Sequence, residues 1–341
     1  MTHRLCFISR NYRGVESSGN KAKTDNEQTL RLMGATNLGL STTYYNNKVL
    51  TFFLDLAGIV RALCQLRRGD ILLLQYPVKK YFSLICCVAQ WRGARPIALI
   101  HDLGSMRRRK LTVQHEIHRL SRAEYIIASN ETMARWLHEQ GLQRPTGSLG
   151  LFDYRSQAVP PQRTTFTNAV PSLVYAGVLA RRKNTFLLQL SHHASPHYRL
   201  DIYGNHDGLS GLTESEQLRI HDFMPAEDFI ARVEDDFGLV WDGDSTESCT
   251  GSFGEYLRWN SPHKVSFYLR AGLPIIIWRE AAVAPIIEQE GIGLCINSLS
   301  ELDTLLPVIT PEQMKTMRMN VRRISDKLAQ GGFLRDALNK I

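Results

Sequence analysis

Residues 237–288 read FGLVWDGDSTESCTGSFGEYLRWNSPHKVSFYLRAGLPIIIWREAAVAPIIE. The apolar run 237–241 has the length of a buried strand, and Asp242, Gly243 and Asp244 break it with turn chemistry. A polar loop then leads to Ser261-Pro262-His263-Lys264. Apolar positions over 265–269 fall on one helical face, which Ala271-Gly272 closes. A second apolar run at 273–278 follows, and another helix is expected from about 281. Strand, loop, helix and strand in this order make a βαβ unit, which implies a parallel sheet covered by helices. In open sheets of this kind ligands lie beyond the carboxyl ends of the strands, where helix N-termini offer free N–H groups to anions. Lys264, in the first turn of its helix, adds a full positive charge there.

The same alternation extends in both directions. Strands expected at 5–9, 71–75, 97–101 and 125–129, with helices at 25–33, 52–66, 80–91, 112–121 and 131–140, make one Rossmann-like domain. The stretch 155–171 carries three prolines and several hydroxyl residues and reads as a linker. Strands at 173–176, 200–203 and 237–241 and helices at 185–190 and 226–233 then give a second Rossmann-like half. The segment 312–341 places Met314, Met317, Val321, Ile324 and Leu328 at helical spacing, with five basic residues between Lys315 and Lys327. It reads as one amphipathic helix whose basic face leaves a membrane-surface role open. The expected domains are 1–155 and 172–324.

A chain of 341 residues, 43% of them hydrophobic, can fill two cores. Its six cysteines, Cys6, Cys64, Cys86, Cys87, Cys249 and Cys295, lack C-x-x-C or metal-ligand spacing and read as reduced thiols. The N-terminal stretch has no apolar core of signal-peptide length, and no run reaches the roughly 20 apolar residues of a spanning helix. A soluble cytoplasmic protein is expected. The net charge of +8 favours an anionic partner: nucleic acid, an anionic membrane, or a substrate carrying a diphosphate. Charge alone does not choose between them. A nicotinamide enzyme would show the G-x-G-x-x-G fingerprint, which is missing. Ser245, Ser248 and His263 have no triad-like companions.

The run at 237–274 resembles the nucleotide-sugar-binding segment of bacterial β-1,6-galactofuranosyltransferases. These belong to a wider group of GT-B glycosyltransferases that includes a glucosyltransferase extending glycans on streptococcal serine-rich adhesins. The likeness continues, more thinly, at Ser17-Ser18-Gly19-Asn20-Lys21-Ala22, Leu99-Ile100-His101-Asp102-Leu103, Phe152-Asp153-Tyr154 and Tyr175-Ala176-Gly177. It implies an α/β GT-B fold, two Rossmann-like domains facing across a cleft, with a C-terminal helix at about 325–341 crossing back to join the N-terminal domain. It also implies transfer of galactofuranose from UDP-galactofuranose, with inversion and with no metal or other cofactor. The implied acceptor is a sugar hydroxyl on a lipid-linked O-antigen intermediate at the cytoplasmic face of the inner membrane. Nucleic acid is not among the implied partners; peripheral membrane contact and self-association are left open. A sibling using UDP-glucose or UDP-galactose would keep the same residues.

A metal-free site must balance a diphosphate with cations and N–H dipoles. Lys264 and Lys183 are the candidates, the latter in a loop opened by Gly177 after its strand. The resemblance gives both the donor's diphosphate, with Arg182 as the substitute one register away. Tyr203 and Asn205, at another strand end, are expected at the nucleoside, and Pro262 and His263 beside it. Asp242-Gly243-Asp244 has the spelling of a metal-binding Asp-x-Asp motif, but sugar-hydroxyl recognition by Asp244 and Glu247 is the favoured reading. Ser18, Gly19 and Lys21 form an expected acceptor-side loop, with the plain βα loop as the bland alternative. Asp102, after His101 at a strand end, is the candidate general base, against a capping role; Glu116 is the alternative base. The basic run 107–110 reads as a solvated loop or a contact for a lipid diphosphate. Val178 stands where the galactofuranosyltransferases tend to have Asn, which puts any contact of that Asn in doubt.

Overall fold

A computed structural model describes residues 3–12, 18–78, 81–107, 111–192 and 195–341. Ser17, Lys80 and residues 108–110, which the sequence reading used, lie outside them. The chain divides into two compact units, Met1–Asp153 with Gln330–Ile341, and Tyr154–Ala329.

In the first unit β1 (Leu5–Phe7), α1 (Ser18–Leu32), β2 (Thr36–Asn37), α2 (Lys48–Gln65), β3 (Ile71–Tyr76) and α3 (Phe82–Trp91) come first. Next are β4 (Arg95–Ile100), α4 (Gly104–Arg107), α5 (Val113–Leu120), β5 (Tyr125–Ala128), α6 (Glu131–Glu139) and β6 (Thr146–Ser148). The six strands form one parallel sheet in the order β2-β1-β3-β4-β5-β6. Apolar runs such as Leu72, Leu73 and Leu74 in β3 are buried, as the inner strands of a doubly covered sheet require.

The second unit runs β7 (Ser172–Ala176), α7 (Arg181–Asn184), α8 (Phe186–Ser191), β8 (Arg199–Tyr203), β9 (Leu218–His221), α9 (Ala226–Arg232) and β10 (Phe237–Val240). It continues with α10 (Gly251–Gly254), α11 (His263–Arg270), β11 (Ile275–Trp278), α12 (Ala284–Glu290), β12 (Gly293–Ile296), α13 (Leu302–Leu305) and α14 (Pro311–Ala329). Its parallel sheet has the order β12-β11-β10-β7-β8-β9. The first strand, β7, lies inside the sheet, and the chain leaves it first towards β8 and later returns as β10 on its other side. A ligand crevice belongs at such a reversal.

Two expectations need correction. Ser18, Gly19 and Lys21 are not in a loop but in the first turns of α1, which begins seven residues before the expected helix. Residues 312–341 are not one helix: the chain breaks at Gly331, whose φ of +73° is left-handed, and α15 (Gly332–Asn339) starts afresh in the first unit. Leu334 and Ala337 of α15 join Phe7, Leu30 and Ile97 in that unit's core. The basic residues of α14 divide: Lys315, Arg322 and Arg323 are exposed, Lys327 is half-buried and Arg318 is buried. Arg318 is buried in an ion pair with Asp236 at 3.0 Å, and Arg323 pairs with Glu290 at 2.6 Å.

The stretch read as a linker is tied to the second unit. Glu227 accepts hydrogen bonds from the backbone N–H groups of Gln157 and Ala158 at 3.0 and 2.9 Å, and Asp236 from that of Thr167 at 2.7 Å.

Candidate functional site

The carboxyl ends of β10, β7 and β8 stand side by side in the second unit, and the residues following them meet. α11 is clamped onto this edge. The Ala176 N–H donates to Tyr268 Oη at 2.7 Å, and a Cβ on Gly238 would come 2.4 Å from the Tyr268 ring, so only glycine lets the helix this close to β10. With α11 fixed, Lys264 in its first turn reaches over the strand ends. Its stem is half-exposed, but its ammonium is buried, 3.5 Å from the centroid of the Tyr175 ring. Among the described residues its Nζ has no hydrogen-bond partner. Burial pushes the Lys264 pKa well below its ordinary value, and Lys183 adds to this by like-charge repulsion, partly offset by Asp242.

Lys183 lies in α7 with its Nζ 3.5 Å from Asp242 Oδ1. The same carboxylate oxygen accepts from Tyr175 Oη at 3.1 Å, and Asn184 Nδ2 donates to that hydroxyl in turn. Asp242 is therefore the hinge between the two lysines and their aromatic floor. Gly243 continues the tie, donating its N–H to the Lys183 carbonyl at 2.6 Å. Two glycines keep the mouth open. A Cβ on Gly177 would lie 3.8 Å from the Lys264 ammonium, and one on Gly204 would come 2.1 Å from the Gly177 carbonyl oxygen. Tyr175, Asp242 and Gly204 carry the geometry of this cluster, and the sequence reading gave none of them that part. The signal available was Tyr175 inside the Tyr-Ala-Gly stretch.

The other donor-side candidates spread outward from this cluster. Arg182 is exposed, its guanidinium 5.0 Å over the Phe253 ring. Tyr203 stacks on His221 at 4.3 Å and meets Phe229 edge-on at 5.4 Å; burial raises its hydroxyl pKa to about 12. Asn205 is exposed and accepts the Asp207 N–H at 2.8 Å. Pro262 precedes α11 as its N-cap residue, and His263 stacks against Tyr154 at 4.8 Å. Asp244, which accepts from the Thr250 hydroxyl, and Glu247 are both exposed. Among the described residues no group of three or more His, Cys, Asp or Glu is arranged to hold a metal ion.

In the first unit Asp102 is half-buried just past the end of β4. His101 before it is buried, with Nε2 2.9 Å from Gln75 Oε1 and its ring stacked on Phe152 at 4.9 Å. Gln75 is itself held by Asn26 at 3.1 Å and by the Lys23 carbonyl at 3.0 Å. Lys21 pairs with Asp25 at 2.5 Å, one turn along α1. Glu116 is no candidate base. Its buried oxygens accept from Gly104 N, Ser105 N, Ser105 Oγ and Tyr76 Oη at 2.5 to 2.9 Å, so it caps α4. A cavity of about 60 Å³ opens beyond β1 and β3, lined by Ser9, Tyr12, Asp55, Gln75 and Tyr81 among others. Here too the strand order reverses, between β1 and β3.

Residues 5–151 match the N-terminal domain, and residues 173–341 the C-terminal domain, of the family described as glucosyltransferase 3-like. The chain is similar to beta-1,6-galactofuranosyltransferase WbbI of Escherichia coli strain K12, with 28% identity over 82% of this chain and 81% of that protein. A shorter match, 33% identical, joins 30% of this chain to 29% of glucosyltransferase 3 of Streptococcus gordonii. Among solved structures, HepE of Anabaena in complex with UDP-glucose superposes with a TM-score of 0.62. That match covers 99% of this chain and 100% of HepE at 10% identity.

Proposed function

The chain belongs to the glucosyltransferase 3-like family and is a GT-B glycosyltransferase, and from that premise we propose that it transfers galactofuranose from UDP-galactofuranose to a lipid-linked polysaccharide intermediate. The observation that carries the donor half is the buried Lys264 ammonium, which has no acceptor among the described residues, beside Lys183, where the strand order of the second sheet reverses. A buried cation in want of an anion, reached through glycine loops, suits a diphosphate. UDP as the nucleotide rests on the ligand of HepE, and the furanose on the match to WbbI along most of the chain.

In this reading the acceptor hydroxyl oxygen attacks the anomeric carbon as the bond to the β-phosphate oxygen breaks, with inversion. Asp102 takes the hydroxyl proton, and UDP leaves with its charge met by Lys183 and Lys264, with Arg182 at the rim, in place of a metal ion. Tyr203, Asn205, Pro262 and His263 hold the nucleotide, while Asp244 and Glu247 contact the sugar. Ser18, Gly19, Lys21 and His101 belong to the acceptor side. A second reading, UDP-glucose or UDP-galactose as donor, is favoured by the match to the streptococcal glucosyltransferase 3.

The test is transfer to a synthetic alkyl hexoside in the presence of EDTA, comparing UDP-galactofuranose made in situ with UDP-galactose and UDP-glucose. Transfer from the furanose donor alone is expected. Transfer from a pyranose donor alone would move the chain to the second reading, and loss of transfer in EDTA would overturn the metal-free site.

A further inference from the structure

α2 turns the usual arrangement of a surface helix inside out. Its buried side carries Thr51, Gly58, Ile59 and Ala62, two of them small and one polar. Its outward side carries Val49, Phe53 and Val60, which are 65%, 60% and 53% exposed, with Leu56 half-exposed between them. These four recur at helical spacing, so they form one stripe, and the stripe holds no charged residue. α3 packs against α2, fixed by Arg92 donating to the Cys64 and Leu66 carbonyls at 2.8 and 3.0 Å. It too exposes large apolar groups, Leu84 at 53% and Trp91 at 83%. Single exposed apolar residues need no explanation, but two neighbouring helices that both expose them do.

The charges around the stripe decide what covers it. Between Lys48 and Arg92 the sequence has seven Lys or Arg residues and only two Asp. Asp70 is buried on Arg4 at 2.6 Å, and Asp55 is half-buried. Lys48, Arg61, Arg67, Arg68 and Arg92 are all exposed. A second copy of this face would bring like charges together. An anionic bilayer offers an apolar interior for the stripe and negative headgroups for its margin.

We propose that the outward face of α2, extended by α3, seats the protein on an anionic lipid surface. The inference concerns the first unit alone and stands whichever donor the second unit takes. It gives the proposed lipid-linked acceptor a reason to meet the enzyme at the membrane.

The test is flotation of the full chain with phosphatidylcholine vesicles with and without phosphatidylglycerol, with sedimentation to read its oligomeric state. The wild type is expected to float with phosphatidylglycerol vesicles, and the combined Phe53→Ser, Val60→Ser and Trp91→Gln variant about tenfold more weakly. Lys48→Glu with Arg61→Glu should remove the preference for anionic lipid. All three side chains of the first variant are exposed, so its melting curve should match the wild type, and its transfer to a soluble alkyl hexoside should persist. If the wild type does not float, or the triple variant floats equally well, the proposal fails. A wild-type oligomer that the triple variant converts to monomers would make the face a contact between copies and overturn the lipid assignment. Failure of the donor reading would show as absent transfer with flotation intact.

Discussion

Lys264 is held over the Tyr175 ring at a cost. A lysine whose pKa is depressed by folding binds fewer protons folded than unfolded between the two values, so stability rises with pH through that window. Below it the burden is complete. Lys264→Met keeps the length and removes the charge. Its melting temperature is expected to exceed the wild type's by a few degrees near neutral pH, corresponding to about 1 kcal/mol or more. The gain should shrink as pH climbs towards the ordinary lysine value of about 10.4. Transfer should fall at the same time, by at least about tenfold for a lost charge-assisted contact of about 1.5–3 kcal/mol. Scanning fluorimetry across pH with parallel turnover assays checks both; a variant less stable than wild type and fully active would refute the assignment. The lysine was legible in the sequence because a first-turn position after a strand is a local property. Its seat was not, because Tyr175 and Asp242 reach it only through the pairing of β7 with β10.

At the level of elements, the Phe152-Asp153-Tyr154 stretch shows how three adjacent residues serve three tasks. Phe152 stacks on His101, Tyr154 on His263, and the Asp153 carboxylate accepts the N–H groups of Phe333 and Leu334 at 3.1 and 2.8 Å, capping α15. Asp153→Ala is expected to cost about 1–2 kcal/mol, read as an earlier denaturant midpoint, with UDP affinity unchanged. A fall in UDP affinity would mean that the residue also serves the donor site. The eight inner strands were readable as apolar runs, whereas the four that escaped, β2, β6, β9 and β12, are the four sheet edges. An edge strand pairs on one side only and is under little pressure to be apolar, as Thr36–Asn37 and Thr146–Ser148 show. α1 began earlier than expected for a related reason: Ser18, Gly19 and Asn20 are weak helix formers and look like a loop.

For the molecule as a whole, the charged and glycine-lined ends of β7, β8 and β10 all belong to Tyr154–Ala329. UDP should therefore slow amide exchange most in the segments after those strands and at the start of α11. Deuterium uptake measured with and without UDP checks this; protection centred on the first unit would move the nucleotide site there. Two Rossmann-like units were legible because strand and helix periods alternate along the chain. The attachment of 154–171 to the second unit was not, since that stretch has no periodicity and is held by hydrogen bonds to Glu227 and Asp236, and the break at Gly331 was not, since 330–341 continues the helical pattern of α14. The placement of α15 also orders events during synthesis. Domains ordinarily fold as they emerge, the N-terminal one first. Here the second unit is contiguous and can close its core once Ala329 is available, whereas the first lacks Leu334 and Ala337 until the residues after the second unit have also left the ribosome. The half that is translated first is completed last, so a truncation shortly before residue 330 would spare the later-made unit and leave the earlier one unfinished.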